Sequence, residues 1–166
     1  MEGERMSLGE WLKGFRELHE KAKKGALAAR ELAGYHAARD ELARALLAAQ
    51  HVALKPDQRP RRMLRVARAL QADIEFHDGS ERAMTLDVSA GGFSALLARP
   101  PRVDDEVKVA LRVPGGEPLR ASARVLEAKQ QVGNARGTFA FVGLEEADTE
   151  RLEVFVFDAV LAQLQG

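Results

Sequence analysis

From Leu70 to about Leu144, apolar and polar residues alternate with a period of two, interrupted at short intervals by turn residues. A period of two places every second side chain on one face of a β-strand. We therefore predict six short strands, which indicate a barrel or a sandwich. Their apolar positions are Leu70, Ala72, Ile74 and Phe76; Met84, Leu86 and Val88; Phe93, Ala95 and Leu97; Val107, Val109, Leu111 and Val113; Ala121, Ala123 and Val125; and a sixth strand from about Gly137 to Leu144.

The turns between the predicted strands are marked by glycine, proline and asparagine. Asp78-Gly79 predicts a hairpin turn after the first strand, and Gly133-Asn134 predicts one before the sixth.

The end of the second predicted strand is unusual because its polar face leads directly into two glycines. The alternation places Asp87 and Ser89 outward on the same face. Gly91 and Gly92 then allow a bulge or a positive φ, and close approach of a ligand to the backbone.

The N-terminal third has helical rather than strand periodicity. Ser7-Leu8-Gly9-Glu10 forms a capping-box pattern that predicts a helix start, and Gly25 is the expected C′ residue of that helix. A second helix is predicted from about Ala26 to Gln50. The two form either an antiparallel hairpin or one long bent helix. Their apolar stripes are Leu8, Trp11, Leu12, Phe15, Leu18 and Ala22, and Leu32, Tyr35, Ala38, Leu42, Leu46 and Ala49.

A last helix is predicted from about Thr149 to Leu164, with Asp148 as its N-cap. It is apolar on two sides, whereas a helix that buries one face needs only one stripe. We expect the second stripe to meet the N-terminal helices or another subunit. The stripes are Leu152, Phe155, Val156 and Ala159, and Val154, Phe157, Leu161 and Leu164.

The segment His51 to Pro60 connects the helical and strand patterns. Pro56 and Pro60 stop a helix, and the residues between them include the polar Asp57 and Gln58. The chain is therefore predicted to have a helical region over 1–55 and a strand-rich domain with the last helix over 56–166.

Charge is placed unevenly along a chain whose formal net charge is zero. The stretch from Arg59 to Arg68 contains five arginines, whereas residues 70–166 have sixteen acidic and ten basic side chains. One basic segment on an otherwise acidic half favours a single localised anion site over a broad nucleic-acid surface. A barrel that binds nucleic acid would need basic and aromatic residues interleaved on its strands, which this pattern lacks. The five arginines are Arg59, Arg61, Arg62, Arg65 and Arg68.

The pattern Arg61-x-x-x-Arg65, followed by Asp87-x-Ser89-x-x-Gly92, resembles that of the PilZ domain family of bacterial cyclic di-GMP receptors. The resemblance extends from about residue 59 to the C-terminus. It implies a six-stranded antiparallel β-barrel with a C-terminal helix, here preceded by an N-terminal helical hairpin, in an α+β fold. The Ala- and Arg-rich composition is similar to that of myxobacterial-type members.

The resemblance implies a binding site for cyclic di-GMP, which is a ligand and not a cofactor. The implied ligand-binding residues are Arg61, Arg62, Arg65, Asp87, Ser89, Gly91 and Gly92. Their chemistry is suitable, because guanidiniums bind phosphates and guanine edges, while a carboxylate accepts hydrogen bonds from guanine N1–H and N2–H. Taken alone, the arginines are consistent with a solvated linker, and Asp87 and Ser89 with an exposed strand end.

Two function classes stay open, both within the PilZ resemblance. One is a receptor that transmits the cyclic di-GMP signal to an unidentified partner protein through movement of the arginine loop and helices. The other is a scaffold of the same fold that binds only protein. We expect no DNA or RNA partner, and unmatched apolar helix surface favours a homodimer through the helices.

No arrangement typical of a catalytic or metal site stands out, so we do not expect an enzyme. The four histidines lack metal-ligand spacing and are expected to lie on the surface or to be satisfied within the protein. There is no cysteine, no apolar run approaches the ~20 residues of a membrane span, and the N-terminus does not resemble a secretory signal. These features predict a soluble cytoplasmic protein.

Overall fold

The computed structural model of the chain describes residues 8–53 and 64–164. They form two compact units: one is Arg65–Val156, and the other holds the two N-terminal helices and the last helix from Phe157 onward. The division predicted between residues 55 and 56 lies outside the described ranges and stays a prediction. The elements are α1 (Leu8–Lys23), α2 (Ala29–Ala53), β1 (Gln71–Phe76), β2 (Gly79–Ser89), β3 (Gly92–Leu97), β4 (Glu106–Leu111), β5 (Leu119–Gln131), β6 (Asn134–Val142) and α3 (Glu146–Gln163).

The six strands close into an antiparallel barrel in the order β1-β2-β3-β6-β5-β4. This confirms the predicted barrel. The inward side chains of β1, β3, β4 and β5 are those that the alternation predicted, and they fill the barrel with aliphatic groups around Phe93 and Phe139, whose rings stack 4.8 Å apart. Closure pairs every strand with two neighbours, so the described barrel exposes no free strand edge.

The phase predicted for β2 is wrong over its central part. Met84, predicted to be inward, is 51% exposed, whereas Thr85 is buried. A β-bulge between Thr85 and Asp87 then restores the predicted phase, so that Val88 is fully buried. One extra residue in a strand moves every side chain beyond it to the opposite face of the sheet. An alternation pattern with mixed polarity does not reveal such a bulge.

The hydroxyl group of the buried Thr85 makes two hydrogen bonds with the backbone. The hydroxyl donates to the carbonyl of Arg68 at 2.6 Å and accepts from the amide of Leu70 at 2.7 Å. These bonds attach the segment before β1 to the middle of β2, and therefore help to place residues 65–68 beside that strand.

Both predicted hairpin turns lie one residue earlier than expected. Asn134 and Gly79 are the first residues of β6 and β2, so the turns are formed by 132–133 and 77–78. Gly133 has a φ of 81°, which agrees with the preference for glycine at this position.

The N-terminal helices form an antiparallel hairpin, which settles the two alternatives left by the sequence. Helix α1 ends at Lys23, and Gly25, the predicted C′ residue, follows it with a φ of 68°. The amide of Ala26 donates to the carbonyl of Lys21 at 2.8 Å. Helix α2 begins at Ala29 and not at Ala26, because the Glu31 carboxylate accepts from the Ala28 amide and caps the helix there. The predicted Ser7 cap of α1 lies outside the described residues.

The helical unit has an aromatic centre. Phe15 stacks on Tyr35 at 5.6 Å and meets the edge of Phe157 from α3 at 6.3 Å. Trp11 stacks on Phe15 at 5.6 Å. Leu32, which was predicted to belong to the α2 stripe, is 42% exposed, because the buried face of α2 is centred on Tyr35, Arg39 and Leu42 instead.

Helix α3 is buried on two sides, as its two stripes predicted. Leu152 and Phe155 pack with the barrel core, whereas Phe157 and Leu161 belong to the helical unit, where Arg16 donates to the carbonyl of Leu161 at 3.2 Å. The second stripe therefore meets the N-terminal helices of the same chain, and a homodimer through the helices stays a prediction.

Two details of the α3 prediction are wrong. Leu164 is 43% exposed and does not continue the buried stripe. The helix begins at Glu146, ahead of the predicted Asp148 cap, because the amide of Thr149 already donates to the carbonyl of Glu145 at 2.9 Å.

Candidate functional site

The predicted site is centred on an ion pair between Arg65 and Asp87. Arg65 Nη1 lies 2.7 Å from Asp87 Oδ1, and both side chains are mostly buried. Two backbone hydrogen bonds of 2.9 and 3.0 Å join Val66 to Val88, and this antiparallel bridge places Arg65 beside the end of β2. The structure thus brings together one residue from each half of the sequence motif.

A second arginine, Arg136, approaches the same carboxylate from β6. Its Nη2 lies 3.5 Å from Asp87 Oδ2 and donates to the Ser94 hydroxyl, also at 3.5 Å. Sequence reasoning missed Arg136 because β6 is far from β2 along the chain. The barrel order places β3 between them, with Asp87 opposite Ser94 and Leu96 opposite Arg136. Arg136 also lies just before the predicted start of the sixth strand at about Gly137, whereas β6 begins at Asn134, so neither the predicted bounds nor the chain order pointed to it.

Ser89 does not point outward as the alternation predicted. It is only 3% exposed, and its hydroxyl donates to the carbonyl of Gly92 at 3.3 Å and accepts from the amide of Gly91 at 3.1 Å. A serine hydroxyl that bonds the backbone two and three residues later closes a tight turn. In this structure Ser89 therefore shapes the β2–β3 connection.

Gly92 is required by the packing of the barrel itself. A Cβ atom built at this position would lie 2.0 Å from the Phe139 carbonyl oxygen on β6. The amide of Phe141 donates to the Gly91 carbonyl at 2.9 Å, which holds the turn against the same strand. Close approach to backbone was predicted here, but the partner is β6, and neither glycine has the positive φ that was considered.

The remaining arginines of the basic segment divide into two groups. Arg59, Arg61 and Arg62 lie outside the described residues. Arg68 is described, and its guanidinium donates to the neighbouring Ala67 carbonyl at 3.1 Å. Of the predicted ligand-binding residues, the structure therefore groups Arg65, Asp87, Ser89, Gly91 and Gly92 at the β2–β3 end of the barrel.

The arrangement has an excess of positive charge, since two guanidiniums share one carboxylate. A guanidinium has five N–H donors, so the contacts with Asp87 leave donors for an anion. Among the described residues no group of three or more His, Cys, Asp or Glu side chains is arranged to hold a metal ion.

An open groove of about 620 Å³ lies elsewhere on the barrel and does not include the predicted site. Its lining residues include Glu75, Lys108, Arg120, Ser122 and Asp148, and none of the predicted site residues contributes. Its charges are of both signs, so its chemistry does not single out an anion.

Comparison with known proteins identifies the fold family. The family model for the PilZ domain matches residues 58–158. The chain belongs to the PilZ domain family. This confirms the resemblance carried by the arginines and the Asp87 motif, whereas the likeness to myxobacterial-type members stays untested. No curated protein matches the chain.

Solved structures similar to this PilZ protein share its fold at low sequence identity. The PilZ domain of E. coli YcgR with cyclic di-GMP is 16% identical, covers 64% of this chain and 96% of that one, and has a TM-score of 0.53. The K. pneumonia MrkH complex with cyclic di-GMP is 17% identical over 65% and 55% of the chains, with a TM-score of 0.56. Bacillus subtilis MotI/DgrA, an inhibitor of motility, is 17% identical over 65% and 53%, with a TM-score of 0.55.

This PilZ protein spans about half the length of the MotI and MrkH chains that it matches. Within residues 8–53 and 64–164, no helix has the length and apolar character needed to cross a membrane.

Proposed function

We propose that this PilZ protein is a receptor for cyclic di-GMP. The observation that carries the proposal is the cluster of Arg65, Asp87 and Arg136, which combines two guanidiniums and one carboxylate at the β2–β3 end of the barrel. Family membership supports it, as do the similar structures of YcgR and MrkH, which were solved with cyclic di-GMP.

The chemistry of the ligand matches this cluster. Cyclic di-GMP presents two phosphates and two guanine edges, and a guanidinium can bind a phosphate through two parallel hydrogen bonds. We assign Arg65, together with Arg61 and Arg62, to the phosphates and guanine O6 and N7 atoms. We assign Asp87 to the N1–H and N2–H donors of one guanine.

Ser89, Gly91 and Gly92 have a different role in this proposal. The Ser89 hydroxyl and the two glycines form the turn that ends β2 and keeps Asp87 beside Arg65. We therefore propose that these three residues contribute to binding mainly by shaping the site.

Ligand binding changes the partners of Arg65. In this structure the Arg65 guanidinium donates to Asp87, so a bound phosphate must share Arg65 with that carboxylate or replace it. We propose that this exchange closes the arginine loop over the ligand, because like charges from Arg59 to Arg68 repel one another until an anion neutralises them. Amide exchange over residues 59–68 is then expected to slow when cyclic di-GMP is added.

Calorimetric titration of the full chain with cyclic di-GMP tests the receptor function. Charge-assisted contacts contribute about 1.5–3 kcal/mol each, so Arg61→Ala and Arg65→Ala are each expected to weaken binding roughly ten- to a hundredfold. Arg82→Ala is the matched control, because Arg82 is a strongly exposed β2 arginine paired with Asp73. Absence of binding by the wild type, or unchanged affinity in both loop variants, would contradict the proposal.

A protein-binding scaffold is the second candidate, and one observation favours it. Arg65 and Asp87 already neutralise each other at 2.7 Å, which is also what a purely structural ion pair would do. If the protein is a scaffold, Arg65→Ala lowers the stability of the barrel, and the calorimetric titration of the wild type shows no binding of cyclic di-GMP. An oligonucleotide titration, for which we expect no binding, completes the comparison.

We further propose that ligand binding is transmitted to a partner protein through the helices. Helix α3 has residues in both compact units, so it is the described element suited to connect them. A homodimer through the helices would be one form of such an output. Light scattering of the full chain with and without cyclic di-GMP is expected to report a dimer, and a monomer under both conditions would remove that part of the proposal.

A further inference from the structure

We infer that Arg136 is a positioning residue for the nucleotide site, which keeps Asp87 oriented when Arg65 turns to the ligand. The inference rests on the proposed function, since it concerns the same site. Its geometric basis is that Asp87 is shared: Oδ1 contacts Arg65 and Oδ2 faces Arg136.

The two arginines are attached to the protein very differently. Arg65 lies outside the named strands, and the neighbouring residue Val66 is joined to β2 by one isolated bridge to Val88. Arg136 lies inside β6, where its backbone is paired with Leu96 on β3 and with Lys129 on β5. A residue held in a central strand cannot follow a ligand far, whereas Arg65 can change partners.

Ser94 gives Arg136 a second fixed contact. The serine is fully buried, lies directly opposite Asp87 in the strand register, and accepts from the Arg136 guanidinium at 3.5 Å. The guanidinium is thus aimed between Ser94 and Asp87. When Arg65 turns to a phosphate, Asp87 still has Arg136 as a cationic partner at Oδ2. Its Oδ1 is then available to the guanine.

This role predicts an effect on base recognition and not on phosphate binding. Asp87 reads the guanine N1–H and N2–H groups in the proposed function, so loss of Arg136 is expected to loosen that reading. A direct contact between Arg136 and a phosphate would instead weaken every cyclic dinucleotide equally.

The test is a double-mutant cycle on the full chain, measured by titration with cyclic di-GMP. Arg136→Gln is expected to weaken binding about two- to fivefold, the range for a partly exposed ion pair, and Arg136→Lys to restore part of that loss. In an Asp87→Asn background, Arg136→Gln is expected to cause no further loss. Arg124→Gln is the matched control, because it removes an exposed arginine from the neighbouring strand β5.

A second ligand keeps the test decisive if Asp87→Asn binds too weakly to measure. Cyclic di-inosine monophosphate has the same phosphates but lacks the N2–H donors. The factor by which the wild type prefers cyclic di-GMP over this analogue is expected to shrink in Arg136→Gln and to stay unchanged in Arg124→Gln.

The outcomes separate the inference from the proposed function. If the wild type binds no nucleotide, both fail. If the wild type binds and Arg136→Gln matches it, only the role of Arg136 is overturned. The same holds if Arg136→Gln weakens binding equally in the Asp87→Asn background or weakens both ligands by the same factor, since Arg136 then contacts the nucleotide directly.

Discussion

The Nδ1 atom of His19 lies 2.8 Å from the hydroxyl oxygen of Tyr35, and this contact joins α1 to α2 at the centre of the helical unit. His19 is 1% exposed and Tyr35 is fully buried. On its other side, His19 Nε2 lies 3.4 Å from Asp158 Oδ1 of α3, and Lys23 binds the same carboxylate oxygen at 2.8 Å. The expectation that this histidine is satisfied within the protein is correct for Nδ1.

Tyr35→Phe should destabilise the helical unit, because it leaves His19 Nδ1 buried without its partner. An unsatisfied buried polar atom costs about 1–3 kcal/mol. We expect a loss of that size in the free energy of unfolding, measured in urea by Trp11 fluorescence. His77→Gln, which changes an exposed histidine, should stay within about 0.5 kcal/mol of the wild type. An unchanged urea midpoint in Tyr35→Phe would show that the bond contributes nothing.

Stability should fall as the pH is lowered from 7.5 to 5. Burial lowers the pKa of His19 below its ordinary value of 6.5, and the Asp158 carboxylate opposes part of this shift while Lys23 adds to it. Below pH 6.5 the unfolded state therefore binds more protons at this residue than the folded state does, and stability is lost until the folded pKa is passed.

His19→Gln isolates this effect from that of the carboxylates. The difference in unfolding free energy between wild type and His19→Gln should shrink as the pH falls through 6.5. His77→Gln serves as the control and should parallel the wild type at every pH. A constant difference between wild type and His19→Gln would contradict the pH dependence.

Phe157→Ala should destabilise the helical unit, because it removes one ring from the aromatic centre. Phe157 is buried, meets the edge of Phe15, and lies under the Arg39 guanidinium at 5.9 Å. Truncating a buried phenylalanine costs about 3–5 kcal/mol. We expect a loss of that order, reported by Trp11, which stacks on Phe15. Leu164→Ala is the control, since Leu164 is largely exposed, and equal losses in both variants would show that packing at Phe157 is not special.

Replacing glycine by alanine should lower the stability at one position in the barrel and raise it at one position in α1. Gly92→Ala places a Cβ against the Phe139 carbonyl and should destabilise the barrel by at least about 1–3 kcal/mol. Gly14→Ala meets nothing within 4 Å on an exposed helix face and should stabilise α1 by about 0.5–1 kcal/mol. Denaturant unfolding measures both. A stable Gly92→Ala variant that loses nucleotide binding would instead mean that the missing side chain leaves room for ligand.

The alternation of apolar and polar residues predicted the buried side chains correctly in strands that have no bulge. Val107, Val109 and Leu111 are inward in β4 as predicted, because each step of two residues in a regular strand returns to the same face. The same reasoning failed at Met84 and Thr85, since the bulge after Thr85 depends on how β2 pairs with β3.

The candidate site was predictable only in part for a related reason. Arg65 and Asp87 belong to a motif that can be read along the chain, and they are in contact. Arg136 belongs to no such motif, and its approach to Asp87 exists only because β3 and β6 are neighbours in the closed barrel.

The six strands, the two-sided character of α3 and the motif that carries the family could all be predicted from the residues alone. These depend on periodicity, turn residues and spacing, which act over a few residues. The three-dimensional packing was needed to establish that Ser89 is buried, that Gly92 lies against β6, that Phe157 contacts Phe15, and that Asp87 has two arginine partners. Each of these depends on which distant segments become neighbours, and that is settled by the packing of the whole chain.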